Sequence, residues 1–134
     1  KTRRHAGLDI SGAEGDNVYA CHDGIVVNAG WGFKKGGKYY GNVIVLQSLD
    51  GGYFTLYSHL SKMNVKEDQK VTTGDVIGHV GKTGNTKVSH LHFELRVGSN
   101  NRGSSADPVP LFSTSPSCPG GGPYYYDNPR IGPF

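Results

Sequence analysis

The sequence lacks the features that would place it in several common protein classes. Only two of its 134 residues are cysteines, Cys21 and Cys118, and they form neither a CxxC pair nor a zinc-ribbon arrangement. No apolar run is long enough to cross a membrane, so no membrane insertion is expected. A GxSxG motif, a P-loop and a Rossmann fingerprint are also missing, which leaves no signal for a serine nucleophile or a nucleotide site.

Long helices are not expected either, because no segment repeats apolar residues at 3.6-residue spacing over more than two turns. Short alternating or apolar runs, bounded by turn-forming residues, recur instead. The predicted strands are Val18–Cys21, Gly24–Ala29, Asn42–Ser48, Tyr53–Tyr57, Val76–Val80 and His90–Val97. The segment Leu49-Asp50-Gly51-Gly52 between two of them is typical of a hairpin turn. We therefore predict an all-β fold, a twisted antiparallel sheet or sheets with few or no helices.

The composition changes near residue 107. Residues 113–134 are rich in Ser, Pro, Gly and Tyr and show no strand pattern, which is typical of a linker or of a segment that covers a domain. We predict one domain over residues 1–112 and a tail over 113–134. Neither an initiator Met nor a signal peptide is present, so we expect a module of a larger or processed chain.

The net charge is +3, with basic clusters in Lys1-Thr2-Arg3-Arg4 and around Lys34-Lys35. Such clusters can attract an anionic partner, and with nearby tyrosines they raise the hypothesis of a nucleic-acid-binding β-barrel. That hypothesis leaves the histidines unexplained, so we expect no nucleic-acid partner and interpret the clusters as a solvated basic surface.

The six histidines carry the strongest signal for chemistry. In the predicted strand around His90-Leu91-His92-Phe93-Glu94, alternation places His90, His92 and Glu94 on one face. Two imidazoles on one strand face can bind one metal ion, or one can bind it while the other carries protons. Glu94 can orient a ligand or be an ordinary polar strand residue.

Two further pieces add to this pattern. His5 and Asp9 are four residues apart, so both side chains lie on one side if the segment is extended. His59 follows another predicted strand. Catalytic zinc sites usually take three ligands from His, Asp, Glu or Cys and leave a fourth position for water. His22 and His79 match no required position and are interpreted as structural or surface residues.

His5-x-x-x-Asp9, Ser58-His59-Leu60 and His90-x-His92, in this order, resemble the lysostaphin-like zinc metallopeptidases, also called LytM-type peptidoglycan endopeptidases. The segments Thr73–Gly78, Gly81–Asn85 and Asp107-Pro108 are similar to that family as well, and the resemblance covers roughly residues 3–112. It implies a narrow substrate groove, walled by loops, with zinc on its floor.

Carried onto this sequence, the resemblance implies one zinc ion per chain, held by His5, Asp9 and His92. His59 and His90 become the catalytic histidines, and which of them is the general base stays open. The choice of His92 over His90 as ligand rests on the resemblance alone.

The implied reaction is hydrolysis of peptide cross-links or stem peptides of bacterial peptidoglycan through a zinc-activated water. The expected location is extracytoplasmic: secreted, periplasmic, wall-associated or virion-associated, as in a phage lysin. The alternative is a non-catalytic wall-binding or regulatory module on the same scaffold. An exported protein favours a Cys21–Cys118 disulfide over two free thiols.

The sequence departs from the family pattern in the long aromatic segment from Asn28 to Tyr40. We expect this segment to form one wall of the groove. Tyr39, Tyr40 and Asn42 are the predicted substrate-binding residues.

Overall fold

A computed structural model describes residues 8–32, 40–84, 86–100 and 104–106. Nine strands from these ranges form one antiparallel sheet. They are β1 (Leu8–Ser11), β2 (Asn17–Tyr19), β3 (Gly24–Trp31), β4 (Asn42–Ser48), β5 (Tyr53–Met63), β6 (Lys70–Val71), β7 (Val76–Val80), β8 (His90–Val97) and β9 (Ser105–Ala106). The described ranges contain no α-helix, and so none that could cross a membrane. The predicted all-β antiparallel class is therefore confirmed.

The sheet follows the order β1-β8-β5-β4-β3-β6, with β9 on β8 and with β7 joining both β2 and β5. Strand β5 is central because its first half pairs with β8 and its second half pairs with β7. It also pairs with β4 through the predicted hairpin at residues 49–52. The three segments with site histidines or their partners, β1, β5 and β8, thus lie side by side.

The predicted bounds of β4, β7 and β8 match the structure, whereas those of other strands differ. Strand β2 begins and ends earlier than predicted, and β5 runs six residues further, to Met63. That extension is stabilised by a second partner, β7, which pairs with Leu60, Lys62 and Met63. The short strands β1, β6 and β9 were not predicted, since such short segments carry too little alternation.

The main core lies on one face of the sheet, where β8 contributes Leu91 and Phe93. Tyr57 of β5 packs edge-on against Phe93, with ring centroids 5.3 Å apart. The other face of β8 carries buried polar side chains, His92, Glu94 and Arg96. The alternation predicted for this strand is confirmed, because its apolar side chains lie in the core and its polar and charged side chains lie on the opposite face.

A second polar cluster, the His22 chain, links residues 21–23 to β5 and consists of Cys21, His22, Thr55 and Tyr57. The Cys21 N–H donates to the Tyr57 hydroxyl at 3.1 Å, and Tyr57 bonds to the Thr55 hydroxyl at 2.9 Å. His22 Nε2 lies 2.7 Å from Thr55 Oγ1, while its Nδ1 donates to the Asp23 carbonyl at 2.8 Å. His22 is therefore structural, as expected.

Cys21 is fully buried and disulfide-bonded rather than a free thiol. The only other cysteine of the chain is Cys118, which lies outside the described residues.

Candidate active site and metal centre

The pairing of β1 with β8 brings a carboxylate against the histidines. In this register Asp9 lies directly opposite His92, and Ser11 lies opposite His90. Asp9 Oδ1 is 2.9 Å from His92 Nδ1 and 3.6 Å from His90 Nε2. One carboxylate oxygen therefore faces a nitrogen of each imidazole in the His90-x-His92 motif.

His59 reaches the same place through an irregularity in β5. Two residues of β5, Ser58 and His59, lie opposite the single residue Val43 of β4, which is a β-bulge. Without it, His59 would share the core face of Tyr57. The backbone of His59 has φ of +63°, a left-handed conformation that is uncommon outside glycine.

The bulge turns the His59 ring toward the other histidines. Its centroid is 4.8 Å from that of His90 and 6.1 Å from that of His92. Strained backbone at such a point is a common feature of active sites, because the surrounding structure must hold it in place.

Thr83 supports this strained turn with three hydrogen bonds. Its carbonyl accepts a hydrogen bond from His59 Nδ1 at 2.7 Å. Its hydroxyl donates to the Leu60 carbonyl at 2.7 Å and accepts from the Asn42 N–H at 3.1 Å. Gly41 permits this close approach, because a Cβ there would lie 2.4 Å from the carbonyl carbon of Thr83. Thr83 thus ties β4 to β5 and fixes the His59 ring.

His59 and His90, the two predicted catalytic histidines, are oriented in the same way. His59 Nδ1 donates to the Thr83 carbonyl, and His90 Nδ1 donates to the Val88 carbonyl at 3.0 Å. In their neutral forms both rings therefore carry the lone pair on Nε2. Burial lowers the pKa of His59 to about 4, helped by the neighbouring His90 and His92 and opposed by its hydrogen bond to Thr83. His59 is therefore neutral at pH 7.

His92 lies between two carboxylates. Its Nε2 is 2.7 Å from Glu94 Oε2, and its Nδ1 faces Asp9. Burial lowers the pKa of His92, but the hydrogen bonds to Asp9 and Glu94 outweigh it and raise the pKa to about 9. The Glu94 carboxyl is fully buried, which raises its pKa, yet His92 and Arg96 reverse this and hold it below its usual range.

This arrangement fits a metal ion between Asp9 and His92. With its pKa at about 9, His92 carries both ring protons at pH 7 and donates to Asp9 and to Glu94. A cation would take the place of the Nδ1 proton, while Glu94 still accepts from Nε2. Two donors of one tetrahedral zinc, each about 2.0–2.2 Å from the metal, lie roughly 3.3–3.6 Å apart. The observed separation of 2.9 Å is that of a hydrogen bond, so the two donors would move apart by about 0.4–0.7 Å to hold zinc. Imidazole and carboxylate are also the donors that zinc accepts.

The third predicted ligand, His5, lies outside the described residues. Within the described part of the chain no group of three or more His, Cys, Asp or Glu side chains forms a metal site. The other two predicted ligands, Asp9 and His92, lie side by side.

Of the predicted substrate-binding residues, Tyr39 also lies outside the described residues. Tyr40 is 7% exposed, and its hydroxyl lies 3.2 Å from both Glu94 and Arg96. Asn42 Nδ2 donates to the Leu60 carbonyl at 2.9 Å.

The roles of Thr83 and Arg96 were not predicted from the sequence. Continued alternation in β8 would have indicated Arg96, two residues after Glu94. Thr83 had no such signal, because it holds His59 through a backbone carbonyl.

Comparison with known proteins gives consistent results. Residues 3–108 match Peptidase family M23. The glycyl-glycine endopeptidase ALE-1 of Staphylococcus capitis is 38% identical over 111 residues, covering 83% of this chain and 30% of that protein. The murein hydrolase activator NlpD of Salmonella dublin is 38% identical over 103 residues, 77% of this chain and 25% of that protein. The chain thus spans less than a third of these relatives.

Solved structures agree in fold. The catalytic domain of the antimicrobial peptidase lysostaphin from Staphylococcus simulans has a TM-score of 0.74 at 39% identity, covering 80% of this chain and 77% of that one. A zinc-containing peptidase from Vibrio cholerae has a TM-score of 0.64 at 34% identity, over 76% of this chain and 28% of that one. With the family match over residues 3–108, these results show that the chain belongs to peptidase family M23.

Proposed function

We propose that this domain is a zinc metalloendopeptidase that hydrolyses peptide cross-links or stem peptides of bacterial peptidoglycan. The observation that carries the proposal is the meeting of Asp9, His90 and His92 with His59 at one point of the sheet. Membership of a peptidase family and the names of the relatives support the same function.

One zinc ion per chain would be held by Asp9, His92 and His5. Zinc bound there would supply a Lewis acid that polarises a peptide carbonyl and lowers the pKa of a water molecule. The carboxylate of Asp9 and the imidazole of His92 are the donors that such an ion needs, with the Nδ1 proton of His92 displaced on binding.

His59 and His90 would handle the protons of the reaction. Each donates its Nδ1–H to a backbone carbonyl, so each keeps Nε2 available to accept a proton and to return it to the leaving amine. Thr83 holds His59 in this orientation. Tyr39 and Asn42 remain proposed substrate contacts along a groove, whereas the hydroxyl of the buried Tyr40 is engaged within the protein.

We further propose an extracytoplasmic setting, as part of a larger protein. The disulfide at Cys21 supports an oxidising compartment. The larger size of the relatives supports a modular parent chain.

The test is release of new amino termini from purified peptidoglycan, measured on walls with glycine bridges and on walls with direct cross-links. We expect release from at least one wall type. His59→Ala and His90→Ala should each lower the rate by about 10²–10⁴-fold. His79→Ala is the matched control, since this histidine lies on β7 and bonds to Gly15 and Asn64. It should keep the wild-type rate.

The similarity to a murein hydrolase activator favours one alternative, a non-catalytic regulatory module. A folded, zinc-loaded domain that releases nothing from any wall, yet increases the rate of an added murein hydrolase, would support the alternative and refute the proposal.

A further inference from the structure

Behind His92 lies a closed cluster of three buried side chains, Glu94, Arg96 and Tyr40, here called the Glu94 cluster. Glu94 is 0% exposed, Arg96 4% and Tyr40 7%. Strand β8 supplies the first two, whereas Tyr40 comes from the segment before β4. The cluster therefore joins two parts of the chain at the back of the proposed metal ligand.

The two oxygens of Glu94 have different partners. Oε1 accepts from Arg96 Nε at 2.8 Å and from Arg96 Nη2 at 2.7 Å. Oε2 accepts from His92 Nε2 at 2.7 Å and from the Tyr40 hydroxyl at 3.2 Å. Tyr40 and His92 thus donate to the same oxygen of Glu94.

The cluster closes on itself because Arg96 Nη2 also donates to the Tyr40 hydroxyl at 3.2 Å. Arg96 is anchored in turn by Nη1, which donates to Asn100 Oδ1 at 2.9 Å. The carboxylate of Glu94 is therefore held by contacts at both oxygens, and its plane cannot turn without breaking at least one of them.

Stability alone does not explain this construction. Burying an ion pair removes both charges from water, which costs free energy. A protein with apolar residues of similar volume in its place is often as stable or more stable. What the ion pair with Arg96 adds is a fixed orientation of the Glu94 carboxylate. This carboxylate in turn orients His92, since a metal-binding imidazole is commonly aligned by the group that accepts its other N–H.

We propose that Tyr40 and Arg96 are positioning residues for His92, acting through Glu94. By fixing the Glu94 carboxylate they hold the imidazole so that Nδ1 points at Asp9. This inference rests on the proposed zinc site, and it assigns Tyr40 a role distinct from substrate contact.

The experiment compares two single-atom deletions, Tyr40→Phe and Tyr57→Phe. Both hydroxyls are buried and hydrogen-bonded, but Tyr57 belongs to the His22 chain and bonds to Thr55 and Cys21. Zinc affinity is measured by competition with a chelator of known strength, and kcat and KM are measured on peptidoglycan fragments.

We expect Tyr40→Phe to raise the zinc Kd about fivefold and to lower kcat with KM little changed, since one hydrogen bond from a neutral hydroxyl to the orienting carboxylate is lost. Glu94→Gln should raise the zinc Kd by about 10–100-fold. Tyr57→Phe should lower the thermal midpoint and leave zinc Kd and kcat at wild-type values.

If Tyr40→Phe does not fold, Arg96→Lys serves in its place. Its ammonium keeps the charge but cannot bond to Glu94, Tyr40 and Asn100 together, so the zinc Kd should again rise. Wild-type zinc Kd in the folded variant, or an equal rise in Tyr57→Phe, would overturn the inference. A wild-type protein that binds no zinc would refute the proposed function instead.

Discussion

The Thr55 hydroxyl lies in the middle of the His22 chain, and its removal should measurably destabilise the domain. Thr55 is 0% exposed and bonds to His22 Nε2 at 2.7 Å and to the Tyr57 hydroxyl at 2.9 Å. Since His22 Nδ1 donates to a carbonyl, the neutral ring accepts from Thr55, and Thr55 then accepts from Tyr57. The directions of all these hydrogen bonds are thus fixed.

Thr55→Val keeps the shape of the side chain but leaves His22 Nε2 and the Tyr57 O–H without their hydrogen-bonding partner. A buried polar group in that condition costs about 1–3 kcal/mol. Because the Tyr57 hydroxyl can rotate, we expect a total loss of about 2–4 kcal/mol in the free energy of unfolding. Thr55→Ser keeps the hydroxyl and loses one methyl group, so it should cost only about 1 kcal/mol.

The assay is urea unfolding at pH 7.5 with the disulfide intact and zinc concentration held constant, because bound metal adds to stability. Thr72→Val, at an exposed threonine, is the control and should stay within about 0.5 kcal/mol of wild type. The double variant of Thr55→Val and Tyr57→Phe should lose less free energy of unfolding than the sum of the losses in the two single variants. A loss below about 0.5 kcal/mol for Thr55→Val, or equal losses for Thr55→Val and Thr55→Ser, would refute the reasoning.

Three further predictions concern the site and its pH dependence. Gly41→Ala should reduce both stability and wall hydrolysis, because the new Cβ would lie 2.4 Å from the carbonyl carbon of Thr83. Gly15→Ala is the control: with φ of +96° and no atom within 4 Å of the new Cβ, it should reduce stability alone. Thr83→Val should lower kcat at least about tenfold by releasing the turn that holds His59, and Thr83→Ser should restore most of it. Burial lowers the pKa of His22 from 6.5, so the unfolded chain takes up its proton first as pH falls. Between pH 7.5 and 5, urea midpoints should therefore fall more in wild type than in His22→Gln; equal falls would contradict this.

The sequence was sufficient to predict the parts of the site that depend on local alternation. His90, His92 and Glu94 occupy alternate positions of one strand, and a strand places such residues on one face. Asp9 required one more step, the pairing of β1 with β8, which puts it opposite His92. Only the meeting of Asp9 with His92, and not this strand pairing, was implied by the family resemblance.

The position of His59 could not be derived from alternation, since regular alternation would direct it to the core beside Tyr57. A bulge in β5 redirects it, and the bulge depends on contacts with Thr83, which is 24 residues further along the chain. Tyr40 and Glu94 are separated by 54 residues, so their contact has no local signal either. These features arise from tertiary packing. The predicted boundary at residue 112 and the role of His5 stay predictions.

The most direct test of the proposed metal centre is a crystal structure of the zinc-loaded protein with an anomalous difference map at the zinc absorption edge. We predict one peak per chain, about 2.0–2.2 Å from an Asp9 carboxylate oxygen and from His92 Nδ1, with Glu94 still bonded to His92 Nε2. A peak on His92 Nε2 or on Glu94, or no peak beside Asp9, would contradict it.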